Sequence, residues 1–132
     1  YIKSHIGECL LVGPDDESEQ WVKPVAEKLG LEYKILDKHR ISSRKVKTRG
    51  KRMNADKVVV IDDIISTGDT LIQASKLIKA KELYFMAAHG LFSEKALSKL
   101  RGKAKIIVSN TIPSKVSKID CVSAIAREIK LK

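Results

Sequence analysis

The strongest pattern in the chain lies at Lys57–Ile61, where KVVVI is apolar on both faces and reads as a strand in the middle of a covered sheet. Upstream, Glu8–Gly13 (ECLLVG) predicts a strand ending in a Gly-Pro turn, and Tyr33–Leu36 a short one. Between them, Trp21, Val25, Ala26 and Leu29 recur at helical spacing, which predicts a helix over Ser18–Leu29 with Gly30 as its stop. Pro24 lies inside that segment and predicts either a late start near Lys23 or a kink. Downstream, Thr70–Ala80 predicts a helix that buries Leu71, Ala74, Leu77 and Ile78. Leu83–Ala88 predicts a strand, Ser93–Leu100 a helix capped by Ser93, and Ile106–Ser109 a further strand. Ile119–Val122 predicts a short strand and Val122–Leu131 a closing helix. Strands alternate with helices, so the expected fold is α/β: a single doubly wound, mostly parallel sheet with helices on both faces. In such sheets ligands bind beyond the C-terminal ends of the strands.

Composition narrows this picture. A chain of 132 residues suits one domain, expected to span 1–132, and few aromatics mean an aliphatic core. No apolar run reaches membrane-spanning length, so no membrane partner is expected. Cys9 and Cys121 are far apart, with neither a CxxC pair nor a nearby His. They read as two small buried thiols in a reducing cytoplasm rather than a zinc site or a disulfide framework. The chain starts without Met, and the expectation is a piece of something longer. Eight of the ten net positive charges sit between Lys38 and Arg52, a stretch with no acid and no strand or helix period. It is expected to be a flexible basic loop, about 38–52, that meets an anion.

The candidate chemistry follows the central strand. Asp62 and Asp63 come directly after Ile61, at the edge where the sheet opens to ligand. Adjacent carboxylates accept hydrogen bonds from vicinal hydroxyls, or hold a divalent cation. Ser66-Thr67-Gly68-Asp69-Thr70 then leads into a helix, where unpaired N–H groups and the helix dipole favour an anion. Gly68 permits a tight turn, and Thr67 and Thr70 add hydroxyls. Together these groups match a sugar diol at one end and its phosphate at the other.

The segment VVVIDDIISTGDT resembles the phosphoribosyl pyrophosphate (PRPP) signature of the type I phosphoribosyltransferase fold. That resemblance implies that Asp62 and Asp63 contact ribose hydroxyls while Ser66, Thr67, Gly68, Asp69 and Thr70 hold the 5-phosphate. Asp69 departs from the small residue common there, and is expected to face away and cap the helix. Leu36-Asp37-Lys38-His39-Arg40, Ala88-His89-Gly90-Leu91-Phe92-Ser93, Val108-Ser109-Asn110-Thr111-Ile112-Pro113 and Gly13-Pro14-Asp15 resemble stretches of the ribose-phosphate pyrophosphokinases. The similarity covers the C-terminal half of such an enzyme. It implies transfer of pyrophosphate from ATP to the 1-hydroxyl of ribose 5-phosphate, giving PRPP and AMP. Lys38 and Arg40 would be the catalytic cations, with Arg40 also touching ribose 5-phosphate, and Asp15 would contribute to a Mg2+ site. It implies a homo-oligomer whose neighbouring subunits complete the ATP site. Where that family continues with a small-residue loop that cradles pyrophosphate, this chain reads Asp15-Asp16-Glu17-Ser18-Glu19.

Three other functions share parts of these features. A phosphoribosyltransferase that consumes PRPP in nucleotide salvage would use the same acids and loop, but needs a hood over the base, and no insertion supplies one. A non-catalytic PRPP-sensing or regulatory subunit would account for the acidic Asp16–Glu19 segment. A nucleic-acid binder would use the basic stretch, although no aromatic interleaves it for stacking, and no nucleic-acid partner is expected.

Overall fold

The computed structural model describes the backbone of residues 1–42, 45–49 and 51–129, with side chains described for these apart from 38–42 and 45–49. A π-helical turn, Ile2–Ile6, precedes strand β1 (Leu10–Gly13). A 3-10 turn (Asp16–Ser18) leads into helix α1 (Glu19–Leu29), then strand β2 (Tyr33–Ile35). Strands β3 (Asp37–Ser42) and β4 (Lys45–Arg49) follow, and then the long strand β5 (Met53–Ile65). Helix α2 (Asp69–Ser75), strand β6 (Ile78–Gly90), helix α3 (Ala96–Arg101), strand β7 (Lys105–Ser109), strand β8 (Ser117–Ile119) and helix α4 (Val122–Glu128) complete the order.

Six strands form one parallel sheet in the order β2-β1-β5-β6-β7-β8. Its two faces are covered by different elements. Val58, Val60, Phe85 and Val108 pack with Leu71 and Ala74 of α2 and Leu100 of α3. Leu11, Val59, Ile61 and Met86 pack on the other face with Val22 and Ala26 of α1 and Ile2 and Ile6 of the π-helical turn. Burial on both faces explains why KVVVI shows no alternation. No helix among the described residues is long and apolar enough to cross a membrane.

Several elements differ from the sequence expectation for identifiable reasons. Helix α1 runs through Pro24 from Glu19 onward. Pro24 and Gln20, whose carbonyl the missing N–H leaves without its helical donor, are both exposed residues, while buried Val22 and Ala26 hold the helix to the sheet. It stops as expected at Gly30, whose φ of 66° is left-handed. Helix α2 ends at Ser75 rather than Ala80. The carbonyl of Leu77 accepts the Met53 N–H at 2.8 Å, and from Ile78 the chain pairs with β5. Ile78-Lys79-Ala80-Lys81 alternates at period two, so it fits a half-buried strand as well as the end of a helix stripe. Helix α3 begins at Ala96 with no side-chain cap; Ser93 contributes its carbonyl to the Ala96 N–H and not its hydroxyl. The short strand falls at Ser117–Ile119, just before the position expected. Cys9 is buried as expected, whereas Cys121 is only half-buried. The basic stretch, which has no strand period in sequence, contains β3 and β4 paired antiparallel, with Lys38 opposite Thr48 and Arg40 opposite Val46.

Phe85 is fully buried at the centre of one face. Phe85→Ala is expected to lower stability by about 3–5 kcal/mol, read as a shift in the urea unfolding midpoint.

Candidate functional site

The order of the sheet creates an opening. Strand β1 has β2 on one side and β5 on the other, so the chain winds in opposite directions from the β1–β5 seam. The C-terminal ends of these two strands form the switch point at which α/β sheets accept ligands. Val12 pairs with Val60, which brings the segment after β1 beside the end of β5. Asp15 and Asp62 are delivered to this point from separate parts of the sequence.

Strand β5 does not end at the acids. Its ladder continues with Asp62 paired to Ala87, Ile64 to His89 and Ile65 to Gly90. Asp62 is half-buried and Asp63 exposed. The Asp63 N–H donates to Asp62 Oδ1 at 3.0 Å, and the Ile64 N–H to Asp63 Oδ1 at 2.7 Å. Each acid thus engages one oxygen with the backbone that follows it and has a second oxygen to offer. Loss of solvation, helped by the charges of Asp15 and Asp63 and opposed by the Asp63 N–H bond, pushes the Asp62 carboxyl up to about 7.

The segment after β1 is closed on itself. Asp15 Oδ1 accepts the Ser18 N–H at 3.2 Å, while the buried Ser18 hydroxyl donates to the Asp15 carbonyl. Gly13 is required here, because a Cβ would strike the Ser18 side chain and stand 2.6 Å from Ile35 Cδ1. Asp16, Glu17 and Glu19 are exposed around this turn. The acids therefore sit outside a small capped turn.

The loop after β5 has the opposite character. Among the described residues, the N–H groups of Ser66, Thr67 and Gly68 have no protein acceptor. The side chains of Ser66 and Thr67 are exposed. Gly68 adopts a left-handed φ of 77°, and a Cβ there would lie 2.8 Å from Leu100 Cδ1, so both conformation and contact demand glycine. A cavity of about 110 Å³ is lined by Asp62 and residues 64–71. That volume suits one small group and is well under the roughly 300 Å³ at which drug-sized sites begin. Helix α2 is only seven residues long, so its dipole adds less than the open N–H groups do.

Asp69 does not cap α2 as expected. Gly68 occupies the N-cap position without a side-chain bond, and Asp69 Oδ1 instead meets Lys99 Nζ of α3 at 2.9 Å. The hydrogen bond from Lys99 holds the Asp69 carboxyl below the usual range. Two further bonds join the same region to the loop: the Leu91 N–H donates to the Ile65 carbonyl at 2.9 Å, and the Ser93 N–H to the Ser66 carbonyl at 3.1 Å. Lys99 carries no local sequence signal, being thirty residues from its partner. His89 Nδ1 lies 2.8 Å from Thr111 Oγ1, which donates to the Ala88 carbonyl. Lys38 and Arg40 lie on β3, and their side chains fall outside the described residues. The structure thus gathers Asp15, Asp62 and Asp63 at the seam, with Ser66–Thr70 beside them.

Residues 39–131 match the family model described as the phosphoribosyl synthetase-associated domain. A ribose-phosphate pyrophosphokinase of Pyrococcus abyssi is 40% identical over 133 residues, which cover 96% of this chain and 47% of that protein. The chain therefore spans about half the length of the curated relatives it matches. Among solved structures, a phosphoribosylpyrophosphate synthetase from Mycobacterium smegmatis superposes with a TM-score of 0.72 at 23% identity, covering 96% of this chain and 46% of that one. An adenine phosphoribosyltransferase does so with a TM-score of 0.53 at 19% identity, covering 76% and 66%. These two likenesses show the fold: a phosphoribosyltransferase-type α/β domain.

The raised Asp62 carboxyl has a measurable consequence. A carboxyl that resists ionisation in the fold favours folding most below its unfolded value near 4, and that advantage is lost as pH rises toward 7. Asp62→Asn is expected to flatten the fall in stability between pH 4 and 7, measured by urea titrations at several pH values. In the parent chain the Asp62 carboxyl carbon is expected to titrate near 7 by NMR, and earlier in Asp15→Asn. A midpoint near 4 in the parent chain counts against the geometry described.

Proposed function

Because the chain belongs to the phosphoribosyl synthetase-associated domain family, we propose that it supplies the ribose 5-phosphate half of a ribose-phosphate diphosphokinase. In the complete protein the reaction is transfer of pyrophosphate from ATP to the 1-hydroxyl of ribose 5-phosphate, giving PRPP and AMP. One observation carries the reading: the carboxyl groups of Asp62, Asp63 and Asp15 gather at the switch point, beside a loop whose Ser66, Thr67 and Gly68 N–H groups have no protein acceptor among the described residues. Asp62 and Asp63 accept hydrogen bonds from the ribose hydroxyls. The N–H groups of Ser66, Thr67 and Gly68, with the hydroxyls of Ser66, Thr67 and Thr70, receive the 5-phosphate. Lys38 and Arg40 then act from the basic hairpin, one as a point charge and one as a fork onto two phosphate oxygens.

The donor set suits magnesium. Asp15 and Asp62 offer hard oxygen ligands that repel one another, and Mg2+ takes few protein carboxylates, completing its shell with water and phosphate oxygens. When bound it offsets phosphate charge. The protein's own task is to orient the 1-hydroxyl in line with the β-phosphorus, which needs positioning and charge rather than a covalent nucleophile. ATP contacts belong to the other half and to neighbouring subunits of a homo-oligomer. A cytoplasmic setting agrees with Cys9 and Cys121 as free thiols.

Calorimetry is expected to show ribose 5-phosphate binding to the purified chain, while ATP and ribose 5-phosphate together release no AMP from it. In the complete protein, Lys38→Ala is expected to lower PRPP formation by about 100- to 1000-fold. Unchanged turnover removes the proposed lysine role. Nucleotide formation from PRPP and a free base moves the assignment to a phosphoribosyltransferase.

A further inference from the structure

We propose that Lys99 is a positioning residue for the 5-phosphate loop: by pairing with Asp69 it allows that loop to carry an acid and still accept a phosphate. The inference rests on the ribose 5-phosphate reading above and concerns a residue outside the acids, the loop and the hairpin.

A carboxylate at position 69 is a liability for that reading. Asp69 belongs to the lining of the small cavity and lies next to Gly68, whose N–H is open. Left unpaired, its charge opposes an incoming phosphate dianion through a few ångströms of partly hydrated space. Lys99 removes that opposition. Its Nζ lies 2.9 Å from Asp69 Oδ1, and the bond directs the carboxylate toward α3. The local charge then sums to zero where it would be negative.

The backbone around Lys99 is built to hold this pairing. Leu100, the next residue, packs against Gly68 so closely that no Cβ fits between them. Leu100 is itself fully buried. The segment leading to α3 is tied to the loop by the Leu91 and Ser93 N–H groups. Lys99 is thus fixed in register with the loop by contacts independent of its own ammonium. The side chains of the pair are substantially exposed, 45% for Lys99 and 65% for Asp69. Exposed pairs contribute little to folding, so replacing Lys99 leaves stability nearly unchanged and any loss of ligand affinity can be read apart from it.

The test is calorimetric titration of ribose 5-phosphate into the chain and its variants at low ionic strength, with thermal melts run alongside. Lys99→Met is expected to weaken binding roughly tenfold, the size of a charge pair a few ångströms apart in water-like surroundings, and to leave the melting temperature nearly unchanged. Lys99→Arg, which keeps the cation, is expected to stay within about twofold of the parent. The double variant Asp69→Asn with Lys99→Met is expected to recover most of the loss, because no charge then needs compensation. Parent-like affinity in Lys99→Met, or no recovery in the double variant, overturns the inference while the ribose 5-phosphate reading stands. Absence of binding by the parent chain overturns both.

Discussion

Strand β5 is buried on both faces from Val58 to Ile61, and the ladder it shares with β6 does not stop where the apolar residues do. Four more residues stay on the strand, among them Asp62 and Asp63. A carboxylate placed at the lip of an aliphatic core loses more in hydration than one N–H bond from Asp63 returns, and this pushes the Asp62 carboxyl up. The penalty is paid by the packing of the whole sheet. It leaves a carboxylate that gains from any hydroxyl donor or cation presented to it, and one held as rigidly as the core itself.

The loop that follows solves a different problem. It has to expose N–H groups, which a folded chain normally pairs, without coming apart. Its rigidity comes from outside: Leu91 and Ser93, in the segment before α3, donate to the carbonyls of Ile65 and Ser66, leaving the N–H side of the loop open. Gly68 joins these requirements, since its left-handed backbone turns the loop and its missing side chain admits Leu100. Helix α3 therefore acts as a brace for the loop as well as a cover for the sheet.

This division explains what the sequence revealed. The central strand, the two acids and the glycine loop are contiguous, so their order alone marked them as one candidate site. The parallel sheet was legible because βα alternation leaves few other arrangements. The end of α2 was not, because Ile78-Lys79-Ala80-Lys81 fits either period and only the partner strand decides. The strands of the basic stretch were hidden for a related reason: their pairing is cross-strand, and cations on both strands leave no apolar alternation to read. The fate of Asp69 was invisible because its partner lies thirty residues away on another helix. The closed turn at Asp15–Ser18 was half legible: its acidity was evident, but the Ser18 contacts that shut it were not.

The placement of the hairpin ties these pieces together. The Leu36 N–H donates to the Gly13 carbonyl at 2.8 Å, so the chain is pinned to the end of β1 immediately before β3 begins. The run of cations thus leaves the sheet from the same edge at which Asp15, Asp62 and Asp63 gather. The acids stand on or beside strands of the main sheet, and the cations belong to a separate two-stranded ribbon. The proposed ligand, which carries hydroxyls, phosphates and a metal ion, suits both sets, with hydroxyls and metal toward the acids and phosphate oxygens toward the ribbon and the loop. Delivery of acids and cations to one rim from two separate sheets is therefore the feature that most narrowly favours that proposal.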